Sequence, residues 1–154
     1  MTRIIQISDP HIVPTGELAY GRVDTAAPLK ACVETINRIL PDIGPVDMAI
    51  VTGDLTDFGT AQEYQRFRDI MEPLAIPYRA IPGNHDNVRM MRAGFADQEW
   101  MPKSGPINWS VEFNELALIG LDTNVEGKAH GHLTDATLGY LQKQLSAMNK
   151  KSVI

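Results

Sequence analysis

Three short runs of the sequence gather residue types that bind hard metal ions: Asp9-Pro10-His11, Gly53-Asp54-Leu55-Thr56-Asp57 and Gly83-Asn84-His85-Asp86. Carboxylate, imidazole and amide oxygen together suit Mn, Fe, Zn or Co better than a thiophilic ion. Asp9 and His11 leave an extended segment on the same side, so they can grip one ion together. Asp54 follows a glycine that permits close backbone approach, and its two oxygens can bridge two ions. Asn84 offers a neutral oxygen to the second ion, which leaves His85 free to face a substrate. Asp57 reads as a residue that fixes its own loop.

Those runs matter because of the elements that precede them. Arg3 to Ser8, Val46 to Thr52 and Pro77 to Pro82 are short apolar runs with the character of buried strands, and each ends where a donor run begins. Between them, Asp24 to about Ile43 carries Ala27, Cys32, Val33, Ile36, Ile39 and Leu40 at helical spacing, with Asp24 or Thr25 placed to cap it. Thr60 to Leu74 is a second amphipathic helix with Tyr64, Phe67, Ile70 and Met71 on one side. This α/β pattern predicts a parallel-sheet βαβαβ core with right-handed crossovers. In such a sheet the loops after all three strands open at one carboxyl edge, where ligands of open α/β sheets bind.

After a polar stretch from Ala93 to Pro106 the pattern changes. Trp109 to Phe113 and Leu116 to Leu121 read as a β-hairpin turning at Asn114-Glu115. A helix follows from about Thr134 to Met148, with Leu138, Leu141 and Leu145 expected to face inward. Lys151 to Ile154 has the look of a further strand.

The 154 residues, 44% hydrophobic and 21% charged, are enough for one packed domain. A net charge of -5 gives no general attraction to nucleic-acid polymers or anionic membranes, so phosphate recognition must be local. Cys32 is the single cysteine, which excludes an internal disulfide and a multi-thiolate metal site. The N-terminus lacks the long apolar region of a signal peptide, and no stretch approaches the about 18 apolar residues of a membrane span, so a cytoplasmic location is expected.

The three donor runs, in this order and each at a predicted strand end, resemble the first signature blocks of the calcineurin-like metallophosphoesterases. The Ser8-to-Ile12 opening, the stretch from Gly53 to Phe67 and the segment from Gly131 to Leu145 are similar to bacterial class III cyclic-nucleotide phosphodiesterases and related glycerophosphodiesterases. The resemblance implies a four-layer αββα sandwich, of which this chain supplies the first part. It also implies two divalent metal ions. Asp9, His11 and Asp54 would hold the first, and Asp54 and Asn84 the second, with water attacking a small phosphodiester such as a cyclic nucleotide or glycerophosphodiester. His85 would serve catalysis at the phosphoryl group, with Asp86 as its orienting partner. Members of the family carry two later histidine blocks that complete both metal spheres. Neither occurs here, so residues 1–154 are expected to form a single, apparently incomplete metallophosphoesterase domain.

Two alternatives stand beside this reading. The chain could be a catalytically impaired module that pairs with a second copy over an unfinished sheet edge. A receiver-like phosphoacceptor also places aspartates at strand ends, but His11 and Asn84-His85 fit it poorly. His130 and His132 precede a helix cap with no strand to aim them, and they read as a solvated turn. Met90 and Met91 read as core or contact residues.

Overall fold

Apolar runs of four or five residues, separated by amphipathic segments, become β1 (Ile4–Ile7), α1 (Ala26–Ile43), β2 (Met48–Thr52), α2 (Ala61–Met71) and β3 (Tyr78–Ile81). This computed structural model describes residues 1–148 and 152–154. The three strands are parallel in the order β1-β2-β3, with Ile4 opposite Met48 and Ala49 opposite Tyr78. Successive strand residues point to opposite faces. Ile7, Val51 and Ala80 therefore turn one way and pack with Leu29, Val33 and Ile36 of α1 and Phe67 and Met71 of α2. Burial of one such large side chain stabilises the fold by about 1.5–3 kcal/mol.

The helix starts are specified locally. Thr60 caps α2: its hydroxyl accepts from the Glu63 amide, and the Glu63 carboxylate accepts from the Thr60 amide at 2.8 Å. At α1 the choice between Asp24 and Thr25 falls to Asp24, whose Oδ1 accepts from the amides of Ala26 and Ala27 at 3.0 and 3.1 Å. A seven-residue helix, α3 (Val88–Gly94), follows β3 and was not expected from periodicity. Asn87 starts it by accepting from the Met90 amide at 3.0 Å, and Met91 seals it to the core with no exposed surface.

The second sheet holds β4 (Trp109–Glu112), β5 (Leu116–Gly120) and β6 (Ser152–Val153). β4 and β5 are the expected antiparallel hairpin, closed by the Phe113 amide donating to the Leu116 carbonyl at 2.7 Å. β6 runs parallel to β5. Lys151, the expected first residue of that strand, lies outside the described residues. The sheets meet through Met48, Trp109 and Leu118. Trp109 binds them further: its indole N–H donates to the Ala80 carbonyl at 2.7 Å, and Arg79 lies 5.5 Å over its ring. Gly120 leaves the room this indole fills.

Helix α4 (Asp135–Ala147), capped by Thr134, covers the outer side of the second sheet through a hydrogen bond from Ser110 to Gln144. The layers are therefore helices, sheet, sheet, helix. The expected inward stripe of α4 is corrected. Leu138 and Leu145 are 44% and 48% exposed, whereas Thr137 and Met148 are buried and Tyr140, Leu141 and Gln144 half-buried. The helix is rotated so that Thr137 can donate to the Asp122 carbonyl at 3.3 Å. Among the described residues no helix is long and apolar enough to cross a membrane.

Candidate metal centre

The pairing of β1 with β2 continues past the strand ends. The amides of Asp9, His11 and Ile12 donate to the carbonyls of Gly53, Asp54 and Leu55 at 3.3, 2.9 and 3.0 Å, and the Asp57 amide returns to the Ile12 carbonyl at 3.1 Å. The two donor runs thus form one continuous double loop. Asp9, His11 and Asp54 adopt left-handed backbone with φ of 52°, 42° and 49°, a conformation that costs about 1–3 kcal/mol at a non-glycine residue and collects at functional sites.

The third loop is tied in by Asp86. Its buried carboxylate accepts from the amides of Leu55 at 3.0 Å, Gly83 at 2.9 Å and Thr56 at 3.2 Å, and from the hydroxyls of Thr56 and Tyr64, each at 2.9 Å. Burial raises its pKa above the usual carboxylate range, while these donors act in the opposite sense. Burial and the neighbouring Asp86 charge also raise the pKa of Tyr64. Gly83 is needed here, since a Cβ would run into the amide and carboxylate of Asp54.

Carboxylate or imidazole atoms of Asp9, His11 and Asp54 lie within 4.8 Å of one another, and the same holds for His11, Asp57 and His85. His11 belongs to both groups. Its Nδ1–H donates to Asp57 Oδ1 at 3.1 Å, which turns Nε2 toward Asp54 Oδ2, 3.5 Å away. A carboxylate on one ring nitrogen fixes the tautomer and frees the other lone pair for a cation. His85 is placed similarly. Its Nδ1–H donates to the Asp57 carbonyl at 2.9 Å, its main-chain N–H donates to Asp54 Oδ1 at 2.9 Å, and its ring meets that of His11 edge to face at 4.6 Å.

Four of the expected site residues, Asp9, His11, Asp54 and His85, are therefore together. Asn84 is exposed on the same loop, one residue before His85, and lines an open pocket with it. Two expectations are corrected. Asp86 does not orient His85, because its carboxylate is turned away into the loop amides and Tyr64. Asp57 does not serve its own loop with its carboxylate, which faces His11 at 3.1 Å and His85 at 3.6 Å. Sequence reading also missed Asn124, whose side-chain amide donates to the carbonyls of Gly83 and Asp86 and so braces the third loop from the end of β5. No spacing signal in the sequence marks it. His130 and His132 are exposed, and neither belongs to a donor cluster found among the described residues.

The family described as calcineurin-like phosphoesterase matches residues 2–152, so the chain belongs to that family. It is 36% identical over 151 residues to a probable glycerophosphodiester phosphodiesterase of Arcobacter nitrofigilis, covering 98% of this chain and 54% of the relative. It is 31% identical over 147 residues to a dual-specificity cAMP/cGMP phosphodiesterase of Mycobacterium tuberculosis, covering 93% and 45%. It is 28% identical over 152 residues to a 3',5'-cyclic AMP phosphodiesterase of Pseudomonas aeruginosa, covering 98% and 52%. The chain spans about half the length of these relatives. Among solved structures, the purple acid phosphatase of yellow lupin seeds shares the fold at a TM-score of 0.58 and 16% identity, over 96% of this chain and 28% of that one.

Proposed function

We propose that the chain carries the metal-binding core of a phosphodiester hydrolase that works with two divalent cations, Mn, Fe, Zn or Co. The observation that carries this is the convergence of Asp9, His11, Asp54, Asp57 and His85 from three loops onto one sheet edge, with His11 held by Asp57 and its free nitrogen directed at Asp54. Asp9, His11 and Asp54 would hold one cation, and Asp54 with the Asn84 amide oxygen the other. Such cations supply charge neutralisation and a more acidic water. Without them the clustered carboxylates of a chain with net charge -5 would repel an anionic phosphodiester.

The chain's own residues do the rest. Asp57 holds both imidazoles in one tautomer and is a positioning residue. Because His85 Nδ1 is committed to a carbonyl, Nε2 is the nitrogen left to hydrogen-bond a phosphoryl oxygen or to protonate the departing alkoxide. Asp86 ties the second and third loops together. The relatives' names, covering glycerophosphodiesters and cyclic nucleotides, support a small phosphodiester as substrate and favour a hydrolase over an impaired dimerising module.

The test is Mn2+ retention after desalting together with release of p-nitrophenolate from bis(p-nitrophenyl) phosphate. Wild-type chain is expected to retain Mn2+ and Asp54→Ala to lose it along with turnover. Unchanged Mn2+ stoichiometry in Asp54→Ala would sink the assignment of Asp54 to both cations.

A further inference from the structure

Beside the donor cluster lies an open pocket of about 370 Å³ whose lining includes Phe58, Asn84, His85, Asn87, Glu126 and Lys128. Phe58 is 68% exposed there, next in sequence to the Asp57 that holds both histidines. Left in water, the ring contributes none of the stabilisation that burial of such a side chain gives.

The backbone beneath this ring is held on two sides. The Phe58 amide donates to both oxygens of the Glu63 carboxylate at 3.3 Å, and Glu63 has no exposed surface. Gly59 follows with φ of 69°, where a Cβ would come within 2.7 Å of the Asn87 main chain. Asn87 in turn donates to Glu126 across the pocket at 3.3 Å. The ring is thus carried on a tied backbone at the wall of a pocket that His85 and Asp57 also line.

We propose that Phe58 is a specificity-determining residue: it is the platform on which a flat aromatic group, esterified to the phosphate, stacks while the phosphate sits at the donor cluster. This rests on the hydrolase reading above. A sugar-linked base fits the pocket's mixed lining, with the ring face on Phe58 and polar edges toward Glu126 and Lys128. A short polyol has no face to stack, so it takes nothing from Phe58. Face-to-ring stacking of a base changes affinity by roughly tenfold or more on alanine substitution.

The experiment is calorimetric titration of the chain in Mn2+ with 5′-AMP, sn-glycerol 3-phosphate and inorganic phosphate, for wild type, Phe58→Ala and Phe58→Tyr. Wild type is expected to prefer 5′-AMP over glycerol 3-phosphate, with that ratio falling about tenfold in Phe58→Ala and kept in Phe58→Tyr. Equal ratios in wild type and Phe58→Ala, with inorganic phosphate still bound, would overturn the platform and leave the hydrolase reading standing. Failure of inorganic phosphate to bind any of the three would overturn both.

Discussion

Asp57 and Asp86 are two buried carboxylates of neighbouring loops with different duties, and the difference is set by what each oxygen touches. Asp86 takes three main-chain N–H groups and two hydroxyls, while Asp57 takes imidazole nitrogens. Asp86→Asn must turn an NH2 toward at least one buried amide that has lost its acceptor. Its expected cost is about 2–4 kcal/mol of stability, read as a lower urea midpoint at unchanged slope. Asp57→Asn can still accept from one histidine. Its expected signature is a Mn2+ affinity lowered about 10–100-fold with a smaller loss of stability. If the two variants moved stability and Mn2+ affinity in the same proportion, the division of labour between them would be wrong. The sequence shows Asp57 four positions past Gly53 and Asp86 three past Gly83, each after a strand end, and nothing local separates their duties. Only the direction of each side chain in the folded loops does. That Asp9, His11 and Asp54 come together was legible from strand ends and a parallel sheet, although the left-handed backbone of Asp9 and His11 was not.

Among the elements, the strands and long helices were readable from period alone, and the misjudged ones show what period omits. α3 is seven residues, too short for a periodic pattern, and exists because Asn87 caps it and Met91 anchors it. On α4 the stripes through Leu138 and Leu145 and through Thr137, Gln144 and Met148 lie side by side, and polar partners across the sheet chose the second. A polar contact also holds α2 to the turn after α3. Arg68 grips Asp97 with two bonds of 2.7 Å and also donates to the Gly94 carbonyl. The Arg68 hydrogen bonds hold the Asp97 carboxyl below the usual carboxylate range. A depressed folded-state pKa contributes stability above the ordinary carboxylate pKa and loses it as pH falls through the folded value. The thermal midpoints of wild type and Asp97→Asn should therefore differ near about pH 6 and converge toward about pH 3. A gap that persisted at the acid end would assign this contact's contribution to packing rather than charge.

For the molecule as a whole, the metal-binding proposal is a statement about stability. Three carboxylates, Asp9, Asp54 and Asp57, are gathered around His11 in a chain that is already anionic, and three of the residues at this edge hold left-handed backbone. Folding without cations therefore carries charge repulsion and backbone strain that cation binding offsets. Ligand that binds only the folded state adds RT ln(1 + [L]/Kd), about 2.7 kcal/mol at a hundredfold excess over Kd. In a domain of this size that raises the midpoint by roughly 5–10 °C. Asp54→Asn is the decisive variant. Asparagine tolerates left-handed backbone and its oxygen can still accept from the His85 amide, so the fold keeps its hydrogen bond while losing one charge. The expected result is a metal-free midpoint equal to or above wild type and no rise on adding Mn2+. A functional site that sacrifices stability for binding behaves this way when its charge is removed. Should Mn2+ raise the Asp54→Asn midpoint as much as that of wild type, the cation is bound somewhere other than this edge.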